Sequence, residues 1–160
     1  MKKIAILLLA ATVLLLAAKS YLRVNAAEAN WLTDLPKAEA RADAEHKMIF
    51  LDFTGSDWCP ACIEFQKEVA MTPEFGFYAG KNLVLVEVDF PHGKALPEAQ
   101  QKTNAGLVDQ FKIADATGDF PLPTFMLLDS NGRELGRWQG YAPGSGPNKF
   151  IQQLEDARKK

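Results

Sequence analysis

The stretch from Met48 to Val69 constrains this chain more than any other. An apolar run, MIFLDF, passes through TGSDW into Cys59-Pro60-Ala61-Cys62 and on into a helical pattern. These are the only two cysteines in 160 residues. A run that is apolar on both alternating faces reads as a central strand covered from both sides. Proline at the first helical position loses no hydrogen bond, because the opening amides of a helix have no partner within it. Pro60 therefore puts Cys59 at or beside the cap, its sulfur facing unpaired amides and the positive end of the helix dipole. Both favour thiolate over thiol. Cys62, three residues on, lies one turn deeper on the same face, at a separation that a disulfide can bridge. In such a pair Cys59 attacks and Cys62 resolves the mixed disulfide.

The N-terminus is of a different kind. Lys2 and Lys3 precede an apolar stretch from Ile4 to Ala18 broken only by Thr12, and Val24-Asn25-Ala26 offers small residues at cleavage spacing. This is the pattern of a signal peptide over residues 1–26. The stretch falls short of the roughly 20 residues of a comfortable membrane span, which favours cleavage over retention as an N-terminal membrane anchor. No cysteine follows it, so a lipoprotein anchor is not expected. The expected destination is the periplasm or the medium. Cleavage would remove Lys2, Lys3, Lys19 and Arg23 and no acid, leaving 14 basic side chains against 20 acidic ones and moving the net charge from -2 to -6. An acidic domain without a basic stripe has no electrostatic footprint for nucleic acid.

Export bears on the cysteines, since outside the cytosol a pair can persist as a structural disulfide. A bridge across a two-residue gap restricts the unfolded chain little, so redox work is the stronger reading. The composition, 48% hydrophobic and 24% charged, is that of one globular domain, here residues 27–160.

FLDFTGSDWCPAC, followed later by FPLPTFMLLDSNG, resembles the thioredoxin superfamily, in particular exported bacterial thioredoxin-like (thiol:disulfide interchange) proteins, from about Leu35 to the C-terminus. The order of segments agrees with it. A helix from about Pro36, a strand at Met48–Phe53, the cysteine helix, a short helix capped by Thr72 and running through Tyr78, and a strand at Leu83–Val88 come first. A helix at about Pro97–Phe111, strands at Phe125–Leu128 and Glu134–Gln139 joined through Asn131-Gly132, and a last helix with Phe150, Ile151, Leu154 and Ala157 inward complete it. The expected fold is α/β: a thioredoxin fold, with a mixed central β-sheet flanked by helices on both faces.

The resemblance implies further site residues. Asp52 matches the buried acid that moves the proton of the deeper cysteine, although the loop from Asp52 to Trp58 is one residue longer than in typical thioredoxins. Pro123 matches the cis-proline that sits opposite the cysteines, and Leu122 and Thr124 then flank a substrate strand. Trp58, beside the reactive sulfur, is expected to shape the substrate surface. Gly55 is read as permitting the turn, Asp57 as solvated, and His92 as an exposed loop residue. The stretch at 114–121 is longer than the usual link and is expected near the cysteines, either as a partner-specific surface or as a plain insertion.

The expected function is a thiol:disulfide oxidoreductase acting on exported protein cysteines, needing no cofactor beyond the Cys59/Cys62 disulfide. Its expected partners are protein thiol or disulfide substrates and a membrane electron donor, and the expected state is monomeric. The intervening Pro-Ala lacks the histidine of strongly oxidising relatives, which favours a reductase over an oxidase or isomerase. A metal site is not expected, because neither histidine lies at ligand spacing from the cysteines. A non-catalytic thioredoxin-fold binding module remains the alternative from another class.

Overall fold

The computed structural model describes residues 30–159, so the signal segment expected at 1–26 lies outside the described residues. The elements are β1 (Trp31–Leu32), α1 (Leu35–Glu45), β2 (Met48–Thr54), α2 (Pro60–Phe65), α3 (Pro73–Asn82), β3 (Leu83–Asp89), α4 (Glu98–Gln110), β4 (Thr124–Leu128), β5 (Glu134–Gln139) and α5 (Gly146–Arg158). The five strands form one mixed sheet in the order β1-β3-β2-β4-β5. This is the expected α/β architecture, with helices on both faces.

Register positions the site. β2 and β3 run parallel with Met48 opposite Leu83 and Thr54 opposite Asp89, so the two strands end together. The loops that follow them, Gly55–Trp58 and Phe90–Pro97, leave the sheet side by side. β4 runs antiparallel to β2 with Thr124 opposite Phe53, which brings Pro123 to the same edge.

Alternation along the strands sends side chains into two cores. Ile49, Leu51 and Phe53, with Val84, Val86 and Val88, pack under Leu35, Ala38 and Ala42 of α1 and Leu107 and Val108 of α4. Met48 and Phe50, with Leu83, Leu85 and Phe125, pack under Phe65, Phe75 and Phe150 from the other helices. Phe50 anchors this second core, stacked on Phe125 at 5.8 Å and edge-on to Phe150 at 5.7 Å. Burying each such ring stabilises the fold by about 1.5–3 kcal/mol.

Local chemistry sets the helix ends. Asp34 accepts the Lys37 amide at 3.0 Å and Thr72 the Phe75 amide at 3.3 Å, each ahead of a proline in the first turn. His46 closes α1 in the left-handed region, its own amide donating to Ala42 and Asp43. After Phe65 the cysteine helix widens into a π-helical turn, Gln66–Ala70, with the Met71 amide reaching Gln66 O at 2.9 Å. Phe65 and Val69 are nevertheless both buried, as their spacing predicts.

Three details differ from expectation. β1, two residues pairing with Leu85 and Val86 of β3, is too short to show a periodicity. α3 continues past Tyr78 to Asn82 and delivers the chain directly into β3. In the β4–β5 loop only Gly132 takes a positive φ, at 78°, because the Asp129 carboxylate holds the Asn131 and Arg133 amides and so shapes the turn around Asn131.

Candidate active site

Cys59 caps α2 with an extended backbone, Pro60 follows in the first turn, and Cys59 Sγ accepts the Cys62 amide at 3.3 Å. The two cysteines are joined in a disulfide with their Cα atoms 5.2 Å apart. Cys59 keeps 5% of its surface exposed and Cys62 none. Cys62 Sγ in turn accepts the Gly55 amide at 3.5 Å. Each sulfur thus already has an N–H donor, and a thiolate formed on reduction would find that donor in place. Of the two cysteines, only Cys59 retains any exposed surface.

The loop between Thr54 and Cys59 is pinned to the loop after β3. The Ser56 amide and hydroxyl both donate to the Asp89 carboxylate, at 3.0 and 2.7 Å. Asp57 accepts the His92 and Gly93 amides at 3.0 and 2.6 Å, and these bonds hold its carboxyl below the ordinary carboxylate range. Asp57 is exposed, as expected of a solvated acid, and in addition clamps the two loops together. Trp58 donates its indole N–H to Phe90 O at 2.7 Å and stacks on the His92 imidazole. Gly55 opens the turn, its carbonyl accepting the Trp58 and Cys59 amides at 3.2 and 2.9 Å, but it needs no positive φ to do so. A Cβ there would come within 2.6 Å of the Trp58 ring, and its absence makes room for the indole.

Asp52 lies on the strand face shared by Phe50, the face covered by α2, and is 1% exposed. Among the described residues neither of its carboxylate oxygens has a hydrogen-bond partner, nor does the nearby Thr54 hydroxyl. Burial pushes the Asp52 carboxyl far up, and the Glu87 and Asp89 charges push it further. Such a group holds a proton where a free aspartate would have lost it.

The Leu122–Pro123 bond is cis. Pro123 O accepts the Gly140 amide at 2.8 Å, while among the described residues no backbone hydrogen bond engages the Leu122 amide or carbonyl. Thr124 is fully buried and its hydroxyl is bound to Pro121 O at 2.6 Å, so it does not reach the surface as a residue flanking a substrate strand was expected to. The Leu122 side chain packs against the α1/α4 core. The segment at 114–121 closes on itself, the Asp115 carboxylate accepting the Thr117 and Asp119 amides, and its Phe120 ring meets Phe90 at 4.8 Å. The extra loop thereby reaches the residue whose carbonyl holds Trp58. Among the described residues no group of three or more His, Cys, Asp or Glu side chains is arranged to hold a metal ion.

The Thioredoxin-like domain family model matches residues 35–158. This chain belongs to the thioredoxin-like family. It is 36% identical over 136 residues to the "Disulfide bond reductase DsbH" of Chlamydia pneumoniae, covering 85% of this chain and 76% of that protein. A solved structure titled "DsbH Oxidoreductase" superposes with a TM-score of 0.73 at 34% identity, covering 85% of this chain and 88% of the other. A third relative, the "Thiol:disulfide interchange protein DsbD" of Photorhabdus laumondii, is 28% identical over 111 residues, which are 68% of this chain and 17% of that longer protein. The Cys59/Cys62 disulfide is the CxxC redox pair of a thioredoxin-like oxidoreductase.

Within this thioredoxin-like frame, Asp57, Phe90 and His92 join the site without having been singled out for it from sequence. Asp57 and His92 carry no motif of their own. The available signal was the matching length of the two apolar strands, which makes the loops after Thr54 and Asp89 neighbours.

Proposed function

We propose that this protein is an exported protein-disulfide reductase, with residues 1–26 directing export and 27–160 forming the working domain. The observation that carries the reading is the Cys59/Cys62 disulfide at the head of α2, with Cys59 slightly exposed, Cys62 fully buried and both sulfurs facing backbone amides. The DsbH relative, named a disulfide bond reductase, supports the direction.

In the reduced protein the Cys59 thiolate attacks one sulfur of a client disulfide. A Cys59–client bond forms and the client's other sulfur leaves as a thiolate, which takes a proton from water. Cys62 then loses its proton and attacks Cys59 Sγ, forming the Cys59–Cys62 bond and releasing the second client thiolate. Two electrons pass to the client. The ionised form of Asp52 is the group that receives the Cys62 proton: its raised carboxyl keeps that form a strong enough base, and among the described residues its oxygens have no competing hydrogen bond. The Leu122 amide and carbonyl, at the head of β4, pair with the client backbone beside Trp58 and Pro123, with the buried Thr124 supporting this edge from within.

Outside the cytosol the thioredoxin and glutathione systems do not restore the dithiol. The reading therefore includes a membrane electron donor that reduces the Cys59/Cys62 disulfide after each turnover, with the protein acting as a monomer in the periplasm. Dithiothreitol-reduced protein mixed with insulin tests the reaction: loss of insulin disulfides with stoichiometric oxidation of the pair supports it. Insulin left intact by the wild type overturns it.

A further inference from the structure

His92 lies outside the cysteine motif in sequence and within its geometry in space. Its imidazole and the Trp58 indole are stacked at 4.2 Å with their planes 2° apart. Neither partner is free to drift from the other. Trp58 Nε1 donates to Phe90 O, the His92 and Gly93 amides donate to the Asp57 carboxylate, and Ser56 donates twice to Asp89. These bonds join the residues just before Cys59 to the residues just after β3. Gly93 is part of the fit, since a Cβ there would meet Asp57 Oδ2 at 2.9 Å. Trp58 still exposes 42% of its surface beside the attacking cysteine.

An exposed tryptophan next to a nucleophile serves recognition only if it is held in one orientation before the client arrives. Otherwise ordering it is charged against binding. The indole N–H bond to Phe90 fixes one edge of the ring, and a single bond at an edge leaves the ring plane free to swing. The parallel imidazole fixes that plane.

We propose that His92 is a positioning residue of the cysteine site: it holds Trp58 as a preset wall for the client chain, and the His92–Trp58 pair forms one aromatic platform for the apolar or aromatic side chain flanking the client's cysteine. The proposal rests on the disulfide-exchange reading above. A protein client that lies along the wall depends on it; a small disulfide that reaches only Cys59 does not need it. Removing the stack raises KM for the protein client by about 3- to 10-fold, the effect of one side chain losing its preset orientation.

The test compares wild type, His92→Ala and His92→Phe, each reduced with dithiothreitol, on insulin and on hydroxyethyl disulfide. His92→Ala is expected to raise KM for insulin with a smaller change in kcat, and to affect insulin at least three times more than hydroxyethyl disulfide. His92→Phe, which keeps a ring against the indole, restores the insulin KM. Acrylamide quenching of Trp58 emission, taken as the difference between each protein and its Trp58→Phe counterpart, rises in His92→Ala and returns in His92→Phe. A KM for insulin that His92→Ala leaves unchanged overturns the proposal, as does quenching that is the same in all three proteins. If the wild type reduces neither disulfide, the reductase reading falls and the proposal with it. That outcome is distinguished by appearing in the wild type itself.

Discussion

Asp52 and Glu87 sit opposite one another on the parallel strands β2 and β3, two carboxyls on the sheet face that α2 covers. Burial pushes both up from the ordinary carboxylate range, and each has a further carboxylate, Asp89, adding to the effect. Asp89 has its own partners in Ser56 and Lys94, whereas Asp52 has none among the described residues. The site thus keeps an unpaired buried acid beneath its cysteine helix, an arrangement that costs stability.

The cost depends on pH with a definite sign. A carboxyl whose folded pKa lies above its unfolded value binds more protons in the native state over the interval between, so stability falls as pH rises through it. Asp52 is raised from an unfolded value of 3.8. Relative to Asp52→Asn, the wild type should lose stability from about pH 4 upward, the gap widening until Asp52 ionises in the folded protein. Urea unfolding at pH 4 and pH 8 checks this: the variant's advantage is larger at pH 8. If Asp52 moves the Cys62 proton, the same variant also resolves mixed disulfides more slowly, on the order of 100-fold.

The two cysteines should separate by role. Cys59→Ser removes the outer, attacking sulfur and abolishes insulin reduction. Cys62→Ser leaves Cys59 able to attack but not to be displaced, so a Cys59–client mixed disulfide accumulates and shows as a dithiothreitol-sensitive band on a non-reducing gel. A trapped adduct with Cys59→Ser and none with Cys62→Ser would reverse the assignment.

Gly55→Ala tests the fit of the indole. The new methyl would lie within 2.6 Å of the Trp58 ring, so the ring must move and its N–H bond to Phe90 must lengthen or break. Overpacking of this kind costs about 1–3 kcal/mol. Denaturant unfolding should show that loss, together with altered Trp58 emission; an unchanged midpoint and spectrum would contradict the packing described.

Away from the site, Glu68 ties the cysteine helix to the start of α5. It accepts the Tyr141 hydroxyl and the Gly144 amide, both at 2.7 Å, and the Tyr141 oxygen accepts the Gly146 amide at 3.2 Å. Burial, with the Glu68 carboxylate, pushes the Tyr141 phenol up to about 12. Tyr141→Phe should cost about 1–2 kcal/mol, since it leaves Glu68 and the Gly146 amide each short of a partner. Thermal unfolding at neutral pH measures it.

The strands were legible because Met48–Phe53, Leu83–Val88 and Phe125–Leu128 are near-continuous apolar runs, the signature of a sheet covered on both faces. Caps announced themselves too, Thr72 before Pro73 and Cys59 before Pro60. The cysteine pair was legible because local spacing alone sets its geometry. The partners of Trp58 were not, since Phe90 and His92 lie more than thirty residues away and only the shared register of β2 and β3 brings them alongside. Gly55 shows the same limit: its reason is a ring that folds back over it, not its own backbone angles.

The most direct test of the account is the reduction potential of the Cys59/Cys62 pair, followed through tryptophan fluorescence in glutathione or dithiothreitol buffers of known potential. A reductase fed by a membrane donor should lie near about -270 mV, the region of thioredoxin. A value of about -180 to -120 mV, the region of isomerases and oxidants, would contradict the account and make the protein a donor of disulfides.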